Sequence, residues 1–476
     1  MPRTALMAAT MAVAVCCVAQ AAGEDVKPMD NADCIKPYEA ERRYWQYKGE
    51  PVLLIGGSKD DSLFQIPDLE EHLDLLAGVG GNVIRNTMSD RQDFGFEVYP
   101  FARLDSGKYD LDQWNEEYWR RFETMLRLTA ERDIIVQIEV WDRFDYSQSQ
   151  WVAHPYNPGN NVNYTSEESG LAADYPAPAW RDRQPFFHSI PGMPMYEDRL
   201  NVVRGYQERF VRQMLSHSLR YGHVLYCMNN ETSTPVAWGK HWMALIQAEA
   251  AAAGVEVYTT DMFDDVWRPH RSGKLKHAFD SPDIYPFIDI SQVNSRSFGQ
   301  EQWDLLMWIH AQNTDAPRPL NNTKIYCDGE TSWGSGTPKD GPERFWRQLL
   351  AGAASARFHR DGGGIGLNEL AQACIKSARL AEERIRLWDV EPHMELLSDR
   401  DANEAYLAAD PGRAYLLFLT DGGSVALDLR RAQGNLPGRW IDVRAGAWGD
   451  RFETTTGDWA AISAPGAGPW VATLTK

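Results

Sequence analysis

The chain has 476 residues, 43% hydrophobic and 24% charged, with a formal net charge of −19. That composition suits one large domain with its own core plus a smaller one. The acidic balance argues against a nucleic-acid partner, because phosphate backbones call for a basic footprint; it also disfavours a strongly anionic polysaccharide unless a local basic pocket overrides the net charge.

Residues 1–22 read as a secretory signal. Arg3 supplies the positive start, "LMAATMAVAVCCVA" the apolar core, and Ala19-Gln20-Ala21 a small-residue cleavage site. The expectation is a secreted or periplasmic protein. A lipid anchor through Cys16 or Cys17 is the lesser alternative, since Val15 fits poorly before a lipidated cysteine. The apolar run falls short of the roughly 20 residues a membrane span needs, and no later segment reaches that length. Four cysteines follow the signal. Cys227 and Cys327 sit in apolar runs and read as buried, while an exported location permits a Cys34–Cys374 disulfide. No CxxC or HExxH occurs, so neither a metal nor a cofactor is expected.

Residues 23–40 read as a polar arm. Eight apolar runs then predict strands at 51–57, 82–87, 133–141, 223–229, 255–262, 285–293, 324–330 and 354–359. Helical periodicity fills most links: one helix opens at Pro67-Asp68 and runs to Ala77, one is capped by Asp112 and covers 113–131, and others span 198–220, 236–253, 300–311, 342–353 and 369–387. Only the fifth link lacks a clear helix. Alternating strands and helices in eight units predict a (β/α)8 TIM barrel within residues 23–390. A doubly wound sheet would call for a glycine-rich turn after its first strand, and "GGSKDD" is not one. The "DGGGIG" at 361–366 lacks the helix and lysine of a phosphate loop. From 391 to 476, short alternating runs separated by turn residues predict a small antiparallel β-sandwich.

The third link is long, some 50 residues by the expected boundaries, and rich in Trp, Tyr, Phe and His, among them Trp151, Trp180, His154 and His188. A loop of that length in a compact domain is usually functional, and this one leaves a strand C-terminus, the catalytic side of a barrel. It is expected to select substrate.

"LYCMNNETS" at 225–233 ends an apolar strand in two Asn and Glu231, and "KIYCDGETSWGSG" ends the seventh strand at Glu330. Two carboxyls facing each other across a barrel mouth at about 5–5.5 Å are what a retaining glycosidase requires, one protonated as acid and one ionised as nucleophile. Asp328 shares the strand face of Glu330 and is the alternative nucleophile. Trp141 and Asp142 end the third strand and are expected to line the pocket, with a core role for the indole equally open. Asp261, Asp264 and Asp265 follow the fifth strand as sugar contacts, helix caps or Ca²⁺ ligands. Trp333, Trp238 and Trp267 are candidate stacking platforms, and His188 and His154 candidate hydrogen-bonding groups.

These positions resemble glycoside hydrolase clan A, the retaining TIM-barrel glycosidases that include family 5. The resemblance rests on Asn230-Glu231 at the end of strand four, Glu330 at the end of strand seven and Arg85 in "NVIRNT" at the end of strand two. It implies that Glu231 is acid/base, that Glu330 is nucleophile with Arg85 bonded to it, and that Asn230 binds the sugar 2-hydroxyl. The C-terminal β unit resembles that of apiosidase-like proteins. The chain departs from the clan in having no Trp on strand eight and no His-x-Tyr on strand six. The expected activity is retaining hydrolysis of an oligo- or polysaccharide. A non-catalytic carbohydrate-binding barrel is the alternative.

Overall fold

The computed structural model describes residues 31–89, 91, 94–146, 148–175, 184–231, 234–264, 273–294, 297–327 and 335–476. The signal segment, Glu330, Asp328, Trp333, Trp267, Trp180 and Asp265 lie outside them.

Eight parallel strands form the core: β1 (Leu54–Gly57), β2 (Val83–Thr87), β3 (Ile135–Asp142), β4 (Val224–Asn230), β5 (Thr259–Thr260), β6 (Ile288–Asp289), β7 (Leu320–Ile325) and β8 (Ser355–Phe358). They pair as two runs, β5-β4-β3-β2 and β6-β7-β8-β1. Asn82 joins the runs across β1 and β2. Its backbone N–H donates to the Ile55 carbonyl at 2.9 Å, and its side-chain oxygen accepts from the Ile55 N–H at 3.0 Å. Every residue of β2, β3, β4, β7 and β8 is buried. A barrel strand meets the interior on one side and the helices on the other, so its sequence reads as continuous rather than alternating.

The helices are α1 (Leu69–Gly78), α2 (Glu116–Glu131), α3 (Leu200–Ser218), α4 (Val236–Ala252), α5 (Gly273–Phe279), α6 (Gly299–Gln312), α7 (Asp340–Leu350) and α8 (Glu369–Glu382). The fifth link thus carries a two-turn helix too short to show a period. The predicted Asp112 cap is corrected. Tyr109–Trp114 is a strand paired with Phe101–Arg103, and the Leu111 N–H bonds Asn163 from the third link at 2.7 Å. The cap of α2 is Asn115, which accepts from the Glu117 N–H at 3.1 Å. β5 and β6 are shorter than the apolar runs that predict them.

The N-terminal side of the barrel is closed by a small sheet of Lys36–Pro37, Trp45–Tyr47 and Glu50–Val52. Trp45, fully buried, donates from its indole N–H to Asn321 Oδ1 at 2.9 Å. A chain of amides continues through the interior: Asn321 Nδ2 to Gln137 Oε1 at 3.0 Å, then Gln137 Nε2 to Asp289 Oδ2 at 2.8 Å. These bonds satisfy polar groups that would be costly to bury alone.

Seven longer strands follow: β9 (Ala405–Asp410), β10 (Ala414–Leu419), β11 (Ser424–Asp428), β12 (Asn435–Asp442), β13 (Ala447–Thr455), β14 (Trp459–Ser463) and β15 (Trp470–Thr475). One antiparallel sheet runs Glu391–Pro392, β9, β10, β15, β12, β13; the other runs Leu397–Ser398, β11, β14. Alternation divides β9, β10, β12 and β15 between two cores. Leu407, Leu417, Leu427, Ile462 and Leu474 fill the sandwich. Tyr406, Leu416, Phe418 and Val471 face the barrel, where Phe418 stacks on Trp346 of α7 at 6.0 Å. All four described cysteines are buried and none is in a disulfide, Cys34 and Cys374 included. Among the described residues no helix is long and apolar enough to cross a membrane.

Candidate active site

The C-terminal ends of β3, β4 and β7 bring Asp142, Asn230, Glu231, Lys324 and Tyr326 into one hydrogen-bonded cluster. Glu231 sits one residue past β4 with φ of 60°. Left-handed backbone at a non-glycine residue costs of order 1–3 kcal/mol and persists only where surroundings hold it. Those surroundings are three donors. Glu231 Oε1 accepts from Lys324 Nζ at 2.7 Å and from the Tyr326 hydroxyl at 3.0 Å, and Oε2 accepts from Arg143 Nη2 at 3.1 Å. Arg143 also donates to Asp264 Oδ2 at 2.8 Å.

Lys324 reaches this position through a shift in strand register. The pairing of β7 with β8 slips between Asn322 and Ile325. Asn321 points into the barrel toward Gln137, so plain alternation would send Lys324 outward; the bulge turns it and Tyr326 into the mouth. The Lys324 ammonium is also bonded to Asn230 Oδ1, and Asn230 Nδ2 donates to Asp142 Oδ2 at 2.8 Å. Both ends of the Asn230 amide are therefore engaged within the protein. Asp142 Oδ1 accepts the Phe144 N–H at 2.9 Å, and Arg91 lies 3.3 Å from Oδ2.

Burial by itself raises the Glu231 pKa, but the Lys324 ammonium and the Arg143 guanidinium outweigh it and hold the carboxyl well below the usual range. Glu231 is thus ionised in the free protein. Burial raises Asp264, against the pull of Arg143, and burial followed by the Glu231 charge raises the Tyr326 phenol.

Arg85, fully buried at the centre of β2, pairs with Asp61 and Glu139. Its Nε donates to Glu139 Oε1 at 2.6 Å, and its Nη1 bonds Asp61. Asp61 also accepts from Arg360 at 2.8 Å and lies 3.5 Å from Arg91. Burial pushes Glu139 up to about 7, against Arg85 and Lys324. The expected Arg85–Glu330 bond falls outside the described residues.

Other predicted residues lie elsewhere. Trp141 is fully buried, with its ring among Phe186, Phe210, Trp238 and Trp242 at 5.1–6.1 Å. It is a core residue, and so is Trp238, also fully buried; neither ring offers a face to a sugar. Asp261 Oδ1 accepts from Asn229 Nδ2 at 3.0 Å, and Asn229 Oδ1 accepts the Trp238 indole N–H at 2.9 Å. A Cβ on Gly239 would stand 2.3 Å from Asp261 Oδ2, so Asp261 packs against the first turn of α4. His188 is buried at the end of a single 3-10 turn, Pro185–His188.

The described aromatic residues of the third link are packed. Tyr146 stacks on Phe186 at 4.0 Å, and Trp151, Tyr156 and Phe187 are each about 1% exposed. Its aromatics extend the core outward over Trp141.

Sequence reasoning missed Asp61, Arg91, Glu139, Arg143, Lys324 and Tyr326. A Lys and a Tyr spaced by two residues just before Asp328 and Glu330 were the available signal.

No family model and no curated protein matches the chain. Solved structures do. A glycoside hydrolase family 5 protein from Bacteroides vulgatus ATCC 8482 aligns over 94% of this chain and 94% of its own, with TM-score 0.62 and 11% identity. Another glycoside hydrolase aligns over 94% and 98%, with TM-score 0.61 and 10% identity. A gamma-CGTase from alkalophilic Bacillus clarkii aligns over 88% and 70%, with TM-score 0.55 and 10% identity. At such identities the likeness is one of fold: the chain has the TIM-barrel architecture of family 5 glycoside hydrolases, with antiparallel β-sheets after it.

Proposed function

We propose that the chain is an exported retaining glycoside hydrolase, its barrel within residues 23–390 carrying Glu231 and Glu330 as the two catalytic carboxyls and residues 391–476 forming an appended β unit. The observation that supports this best is the half-buried, strained Glu231 at the mouth of a family 5-like barrel, gripped by three donors. In this reading Glu330 attacks the anomeric carbon while Glu231 protonates the leaving oxygen. Glu231 then accepts the proton of the water that releases the sugar. The ionised state of free Glu231 suits the second, base step. The first step requires a proton on that carboxyl, so substrate entry must loosen Lys324 or Arg143.

That same clamp favours a second reading, a carbohydrate-binding barrel without turnover, in which two cations permanently deny Glu231 its proton. Glu231→Gln and Glu330→Gln proteins, assayed for reducing sugar released from a polysaccharide panel, separate the two. Loss of turnover in both supports the hydrolase. Wild-type turnover in both removes these residues from catalysis, and absence of turnover in the wild type on every glycan it binds supports the binding barrel. Proton NMR of the first product, read before mutarotation, tests retention.

A further inference from the structure

The two sheets of the C-terminal sandwich do not close on each other at one side. β13 pairs only with β12 and β14 only with β11, so each is an edge, and the turn at Thr456-Gly457-Asp458 joins them. Between these edges lies an open groove of about 480 Å³, within the roughly 300–1,000 Å³ usual for small-molecule sites. Trp440 and Phe452, stacked at 5.3 Å, line it together with Thr454, Glu453, Asp458 and Trp459.

One side chain marks the groove. Trp459 is 39% exposed, the only Trp among the large hydrophobic side chains that face solvent in the described residues. Arg430 lies over one face of its ring at 5.6 Å and is itself paired with Asp428 at 2.6 Å.

We propose that this groove binds a neutral glycan chain, separately from the barrel. The choice of a glycan rests in part on the hydrolase reading; the rest is chemistry. An indole presents a flat, electron-rich face to the C–H face of a pyranose. The Glu453 and Asp458 carboxylates, both exposed, are suited to sugar hydroxyls. The same carboxylates repel an anionic polymer. An extended peptide adding to the edge is disfavoured because β13 carries exposed Asp450, Arg451 and Glu453, charges that guard an edge against strand pairing.

Affinity electrophoresis of the full chain in native gels containing galactomannan, xylan or mixed-linkage β-glucan tests this. Retardation by at least one of them is expected, weakened tenfold or more in Trp459→Ala, with turnover of short soluble oligosaccharides unchanged. Retardation that survives in Glu231→Gln while depending on Trp459 supports the groove whether or not the barrel hydrolyses. No retardation by any of the three, or equal retardation of wild type and Trp459→Ala, overturns the proposal.

Discussion

Replacing Lys324 by methionine removes the ammonium 2.7 Å from Glu231 Oε1 and keeps most of the apolar stem. Lys324 is 1% exposed and Glu231 17% by side chain, so solvent screens the pair little. With an effective dielectric of about 20, unit charges about 4 Å apart interact by about 4 kcal/mol. At 1.36 kcal/mol per tenfold, the Glu231 protonation equilibrium should move by about a thousandfold toward the acid form. Arg143 and Tyr326 remain, so the carboxyl should titrate within reach of ordinary buffers rather than turn neutral at pH 7. The assay is a ¹³C NMR titration of glutamate carboxyls, with the Glu231 signal assigned by Glu231→Gln. In the wild type that signal should stay ionised to the lowest pH at which the protein is folded; in Lys324→Met it should titrate above that. Stability follows with a definite sign. A carboxyl held low in the folded state contributes stability above its unfolded pKa of about 4.3, and the contribution is lost as pH falls below that value. The variant should therefore be weaker by about 3–5 kcal/mol near neutrality, where a buried pair has lost one partner, and the gap should narrow in acid. Coincident titrations of Glu231 in the two proteins would refute the assignment of Lys324 as its controlling cation.

Phe186→Ala should cost about 3–5 kcal/mol in denaturant unfolding, because Phe186 is fully buried between Tyr146 and Trp141; a cost below 1 kcal/mol would return the third link to the status of a surface loop. Gly239→Ala should lower stability by about 1–3 kcal/mol, since its Cβ would meet Asp261 Oδ2, and Asp261→Ala combined with it should recover part of that loss; a thermal scan of the three proteins reads both effects.

The backbone plan was legible because it depends on short-range order. Apolar runs separated by helical periods predict eight units, and the strands at Val83–Thr87, Ile135–Asp142 and Val224–Asn230 fall within or beside those runs. Glu231 was legible too, since an acidic residue ending a buried strand has few structural reasons to be there. The aromatic residues of the third link were ambiguous for a physical reason: Trp, Tyr and Phe serve a sugar platform and a core equally well, and only the tertiary structure packs Tyr146 and Phe186 over Trp141. The Asp112 cap failed similarly, because a pairing with Asn163, 51 residues distant, overrode the local signal.

By itself the sequence determined the order of the eight barrel strands, the β texture after residue 391 and the positions where polar residues end buried strands, all set by periodicity and local propensity. The tertiary structure alone decided which charges meet. The register slip in β7 turns Lys324 toward Glu231, β3 delivers Arg143 from 88 residues away, and Arg85 is committed to Asp61 and Glu139. The protonation state of a buried carboxyl depends on distances of a few ångströms to charges remote in the chain, and no local pattern of residues encodes those distances.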